Sequence, residues 1–177
     1  MPVMHRLRLY HAALAVLVVL SYLSGEWGIV HAWLGYGVAA VILVRLALAA
    51  TGAPQLGLMR FYPHFEGLKL DNAFTHPAIS RTLLAAIAVC TVGATATGIM
   101  MDRGRAIGLA ESAVIAPAYA DDDENGTRGE REDEGAAEEL HEAFANLLVL
   151  LVGVHVTYLL VFKRPLARFM LFLPGAK

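Results

Sequence analysis

LHEAFANLLVLLVGVHVTYLLVF, residues 140–162, is an apolar run of membrane-crossing length with a histidine near each end, His141 and His155. At 1.5 Å per residue, their fourteen-residue separation covers about 21 Å along one helix. Fourteen steps of 100° leave the two within about 40° of a common face. A bilayer core takes about 20 apolar residues, and three further runs reach that length, at 7–25, 28–51 and 78–101. The first carries His11 and the second His31. Ionisable side chains are rare inside hydrocarbon and mark function there, which makes these four histidines the leading functional candidates.

The rest of the composition agrees with a membrane protein. The 177 residues are 57% hydrophobic and 17% charged, with a mean hydropathy of +0.55, too apolar for an ordinary soluble domain. The expected fold is an all-α, four-transmembrane-helix bundle forming one domain over 1–177. Nucleic acid is not an expected partner. The single cysteine, Cys90, allows no intrachain disulfide and reads as a small packing residue. Arg6 and Arg8 followed by the apolar run 12–20 resemble a secretory signal. The cleavage pattern is poor, however, and removal would discard His11, so the run is expected to remain as a first span.

Charge sets the orientation. Arg6 and Arg8 precede the first span, Arg45, Arg60, Lys69 and Arg81 flank the second connection, and Lys163, Arg164, Arg168 and Lys177 follow the fourth span. In a four-helix stack all ten fall on one side, against Arg103, Arg105, Arg128 and Arg131 on the other. The positive-inside rule then puts both termini in the cytoplasm and the third connection, 102–139, in the periplasm of a bacterial inner membrane. Residues 26–28 make a short outer turn, and Tyr22, Trp27 and Trp33 sit where an aromatic belt is expected. The segment 55–70, QLGLMRFYPHFEGLKL, reads as lying on the inner membrane surface, with Pro63 interrupting any continuous helix. The tail LARFMLFLPGAK, 166–177, is too short for a fifth span and reads as a second interfacial anchor.

With the N-terminus inside, His11 and His155 lie towards the inner surface, while His31 and His141 open their helices at the outer one. Depth therefore pairs His11 with His155 and His31 with His141. Charge and spacing reach this arrangement separately. Two imidazoles on opposite faces of a haem iron leave no open position for oxygen, which suits electron transfer. Without a Cys-x-x-Cys-His motif such haems are non-covalent, hence two haems b. Gly35, Gly37 and Gly153, near the histidines in sequence, would allow close approach to a porphyrin. His5, His64 and His76 read as interfacial residues, or His64 or His76 joins Arg60, Lys69 or Arg81 in a quinone or propionate site. Arg6, Arg8 and Arg81 are equally membrane-edge charges or partners for inner-haem propionates.

Four segments, RLRLYHAALAVLVVLSYLSG (6–25), VHAWLGYGVAAVILVRL (30–46), HPAISRTLLAAIAVCTVGATATGIM (76–100) and ELHEAFANLLVLLVGVHVTYLL (139–160), resemble the bacterial cytochrome b561 family, which is grouped with the b-type cytochrome subunits of nickel-iron hydrogenases. The resemblance covers all four spans. It implies that His11, His31, His141 and His155 are axial ligands of two haems b, and that the protein exchanges electrons with the quinone pool. Ala12 stands where a Trp often follows the first ligand, and the fifth span usual in hydrogenase subunits is missing. The segments HPAISRTLL and FKRPLARFML resemble a subgroup that accompanies small periplasmic c-type cytochromes.

The third connection departs from compact members of that family, with twelve acidic and four basic residues concentrated in DDDENGTRGEREDEGAAEE, 121–139. Such a segment is expected to be largely disordered unless bound. Three readings stand. Asp121, Asp123, Asn125, Gly126 and Glu132 fit the calcium-loop pattern, although Arg128 takes the position of a packing apolar residue. The segment could instead attract a basic c-type cytochrome. It could also be a solvated linker. The expected function is a membrane di-haem b-type cytochrome of the respiratory chain, moving electrons between quinone and a periplasmic partner. Alternatives are a membrane-anchor subunit of a larger oxidoreductase, a superoxide:quinone oxidoreductase, and a haem-free transporter with a histidine-lined metal or proton path.

Overall fold

The computed structural model describes residues 3–50, 77–108 and 124–172, with side chains placed for 5–50, 77–108 and 135–172. Among these residues every regular element is helical. Four long helices, α1 (Val3–Leu23), α2 (Ile29–Ala50), α3 (Pro77–Asp102) and α4 (Glu124–Phe162), each contain a stretch long and apolar enough to cross a bilayer. A seven-residue helix, α5 (Arg164–Met170), follows α4. In hydrocarbon no water is present to satisfy a free amide, so a chain this apolar keeps its backbone bonds within helices. Polar side chains obey the same demand. Thr91, Thr95 and Thr97 of α3 and Thr157 of α4 each donate to the carbonyl four residues back, at 2.7–2.9 Å.

Helices adjacent in the chain pack together, and the seam between α3 and α4 is the most extensive. Hydrophobic burial does not drive association among lipid tails, so close packing of small residues must supply it. Gly93 shows how: a Cβ there would stand 2.8 Å from Cε2 of Phe144, so that ring lies directly on the α3 backbone. Ala78, Cys90, Thr91 and Thr97 of α3 are buried with Leu148 and Tyr158 of α4. Cys90 is thus the packing residue expected. Large apolar side chains point outward instead, Leu43 and Val89 each 64% exposed, as lipid-facing positions require.

The turn between α1 and α2 is short. Trp27 N–H donates to the Ser24 carbonyl at 2.8 Å, Ser24 is buried, and Gly28 takes φ 51°, a conformation that favours glycine. Tyr22, Trp27 and Trp33 are exposed around it. At the same end, Asp102 closes α3. Its Oδ2 accepts from Tyr36 Oη at 2.9 Å and from Ala106 N–H at 3.1 Å, tying α2 to the 3-10 turn Arg105–Ile107. The other end of the bundle gathers both ends of the described chain. There His5 packs edge-on against Phe169, and Arg8 stacks on Phe169 and Phe172.

Two boundaries differ from the sequence reading. The first helix begins at Val3 rather than 7, which places Arg6 inside it along with Arg8. The fourth begins at Glu124 rather than 140, so residues 124–139 of the acidic run, expected to be disordered, are helical. Glu, Arg and Ala are strong helix formers. A helix already nucleated by its membrane span also extends without a second nucleation cost. Asp121 and Asp123, the segment 55–70 with Arg60, His64 and Lys69, and His76 lie outside the described residues.

Candidate haem-binding sites

His31 sits on the first turn of α2 and His141 on α4, and the α1–α2 turn swings His31 back over the end of α1. The two rings face each other with centroids 5.9 Å apart and planes at 90°. His31 Nδ1 is 2.9 Å from the Ser21 carbonyl oxygen. His141 Nδ1 is 2.9 Å from the Ala94 carbonyl oxygen, with Thr97 Oγ1 3.2 Å away. A carbonyl can only accept, so Nδ1 is the donor in both rings, and in the neutral tautomer Nε2 keeps its lone pair. Backbone acceptors behind a histidine fix ring and tautomer in this way at metal sites. Two neighbouring imidazoles with Nδ1 engaged and Nε2 free would be able to hold a haem iron.

Space for His141 comes from Gly98. A Cβ at that position would lie 3.1 Å from His141 Cε1. Ser21, Ala94, Thr97 and Gly98 therefore support the pair, and none was singled out from sequence. The run GATATG, 93–98, is the signal that marks α3 as the helix of close approach. The glycines near the histidines in sequence make no such close contact with protein. Gly37 meets Leu17 Cδ2 at an ordinary 3.5 Å, while Gly35 and Gly153 have no atom of another element within 4 Å of a would-be Cβ.

His11 and His155 both lie towards the opposite end of the bundle, near enough to interact electrostatically. His11 is exposed and His155 half-buried. His155 Nδ1 is buried and makes no hydrogen bond, and the same holds for Arg8 Nε and Tyr158 Oη. Arg8 precedes His11 by three residues and Tyr158 follows His155 by three, so each shares its histidine's face. Buried polar atoms are nearly always bonded; three orphans around one histidine pair mark a place prepared for a polar ligand group. The structure thus sets His31 beside His141 and leaves His11 and His155 within electrostatic range of each other at the other end.

The helices that carry the pairs, α1 with α4 and α2 with α4, approach each other less closely than chain neighbours do. Among the described residues no three or more His, Cys, Asp or Glu side chains cluster to hold a metal ion. A bare ion asks for about four ligands, whereas two imidazoles suffice for an iron held by a macrocycle. The donor sets therefore fit haem and do not fit a bare transition metal. For calcium, Asn125, Gly126 and Glu132 lie within α4, where continuous helix replaces the turn a calcium loop needs at its glycine. Arg81, Arg6 and His5 are at or near the end of the bundle that carries His11 and His155, as their positions in α3 and α1 require.

Paired histidines near both ends of a four-span helical bundle define a class: membrane cytochromes that hold haem between helices. The chain belongs to the prokaryotic cytochrome b561 family, whose model matches residues 5–172. Neither the curated proteins nor the solved structures include a match. Membership makes the protein a multi-pass membrane b-type cytochrome of electron transfer, binding haem b.

Proposed function

We propose that the protein is a di-haem cytochrome that transfers electrons between the quinone pool and a periplasmic redox partner, a c-type cytochrome. His31 and His141 would hold the outer haem, His11 and His155 the inner one. The outer pair carries this reading, with two rings 5.9 Å apart and both Nδ1 atoms bonded to carbonyls. Haem b held there by His31 and His141 would supply a one-electron couple. The residues behind the rings hold the tautomer, and the lipid-facing apolar side chains exclude water. The charge distribution favours the inner haem towards the cytoplasm, with both termini inside the inner membrane.

The partner reading draws support from the early start of α4. Because the acidic run continues the helix that bears His141, Glu138, Glu139 and Glu142 stand exposed within a turn of the outer pair. A basic protein attracted there is delivered to the outer haem edge, faster at low salt than at high salt. The test is to reduce the purified protein with a quinol, mix it rapidly with a basic c-type cytochrome, and vary ionic strength. Quinol should reduce both haems, and reoxidation should slow severalfold as salt rises. Failure of quinol to reduce the protein, or a rate indifferent to salt, contradicts the proposal.

A further inference from the structure

The end of α5 contains a backbone feature that helix chemistry alone does not explain. Phe172, just past the helix, takes φ 60°, the left-handed conformation. Glycine usually fills that position after a helix, and for a bulky side chain it is an outlier that stores strain. The conformation lays the Phe172 ring against Arg8 of α1, with the guanidinium carbon 3.5 Å from the ring centroid; Phe169 adds a second ring at 4.9 Å. Cation–π stacking at such distances is attractive and offsets part of the strain. The stack holds the guanidinium on one side while leaving its Nε buried and without a hydrogen bond. That donor lies on the face of α1 that carries His11, one turn away.

We infer that Arg8 is the receptor for a carboxylate of the inner haem's propionates, and that Phe169 and Phe172 are positioning residues clamping it in place. This rests on the proposal that His11 and His155 hold a haem. A guanidinium offers a planar fork matched to a carboxylate, and a ring on its outer face keeps that fork from turning into water. The arrangement gives α5 a task beyond lying at the membrane surface: it orders a charge beside the inner site. A positive charge there favours the reduced iron, because reduction lowers the net positive charge next to it.

The test is an equilibrium redox titration of the full-length holoprotein, with each haem's wave assigned by its absence in His155→Ala or His141→Ala. Arg8→Gln should lower the potential of the inner wave alone, weakening its preference for the reduced state about tenfold, or ~59 mV for one electron. Phe172→Leu should move the same wave in the same direction by less, and Arg8→Lys should restore part of the shift. A shift confined to the outer wave, or unshifted waves in Arg8→Gln and Phe172→Leu with both haems loaded, overturns the inference. If Arg8→Gln binds no inner haem, an unshifted inner wave in fully loaded Phe172→Leu likewise overturns it. Should wild-type protein show only one wave, the haem assignment itself fails, and that result is separate from the clamp.

Discussion

The two histidine pairs lie in one bundle, yet they are held in different ways. At one end, the outer end in the proposed orientation, both rings are fixed by backbone carbonyls, those of Ser21 and Ala94, although Ser21 Oγ itself is buried without a hydrogen bond. At the inner end His155 Nδ1 has no partner, His11 is exposed, and Arg8 and Tyr158 each add a buried polar atom without one. The outer end lies beside short turns that lock helix to helix, through Ser24 and Asp102. The inner end lies where the two ends of the chain meet through aromatic contacts with α5. A preorganised ligand pair binds with less ordering cost than one that must be organised by its ligand. The outer site should therefore be the sturdier of the two.

Removing a ligand breaks the comparison most completely. His155→Ala should abolish the inner haem and leave the outer one, halving the haem-to-protein ratio measured by reduced b-type absorption. Next comes Gly98→Val, which drives side-chain carbons into the space that His141 occupies. Outer-haem occupancy should fall severalfold with the inner haem retained, and Gly98→Ala should cost less because the ring need shift by only a few tenths of an ångström. Graded urea on the detergent-solubilised holoprotein should release the inner haem first. Simultaneous loss of both would erase the proposed difference between the ends. The smallest effect belongs to Thr97→Val. Ala94 still accepts from His141 in that variant, and the hydroxyl's bonds to the Gly93 and Ala94 carbonyls lie within α3. His141 itself therefore loses one contact worth about 0.5–1.5 kcal/mol, a shift in the outer haem's reduction equilibrium of about tenfold or less.

Much of this molecule was legible in the chain. Span length and histidine depth are local properties, so the four helices and the neighbouring His31 and His141 could be read from residues 7–25, 28–51, 78–101 and 140–162. The supports of the outer pair could not. Ser21 and Ala94 act through main-chain oxygens that every residue possesses, and their selection depends on how the turn sets α2 against α1 and on the register of α3 against α4. The helical start of α4 was hidden because a dense run of Asp and Glu signals disorder by composition, while the adjoining span supplies the nucleus that the run lacks by itself. Phe172 was hidden for a similar reason. Its left-handed backbone follows from a contact with Arg8, far away in the chain.

The account's central claim is that each end of the bundle holds one haem through its own histidine pair. Counting haem per protein in wild type and in His141→Ala, with a redox titration of each, tests it most directly. Wild type should hold two haems titrating as two waves. His141→Ala should hold one, with the surviving wave at its wild-type position. A wild-type ratio of one or none, or a His141→Ala variant that keeps both haems, would contradict it.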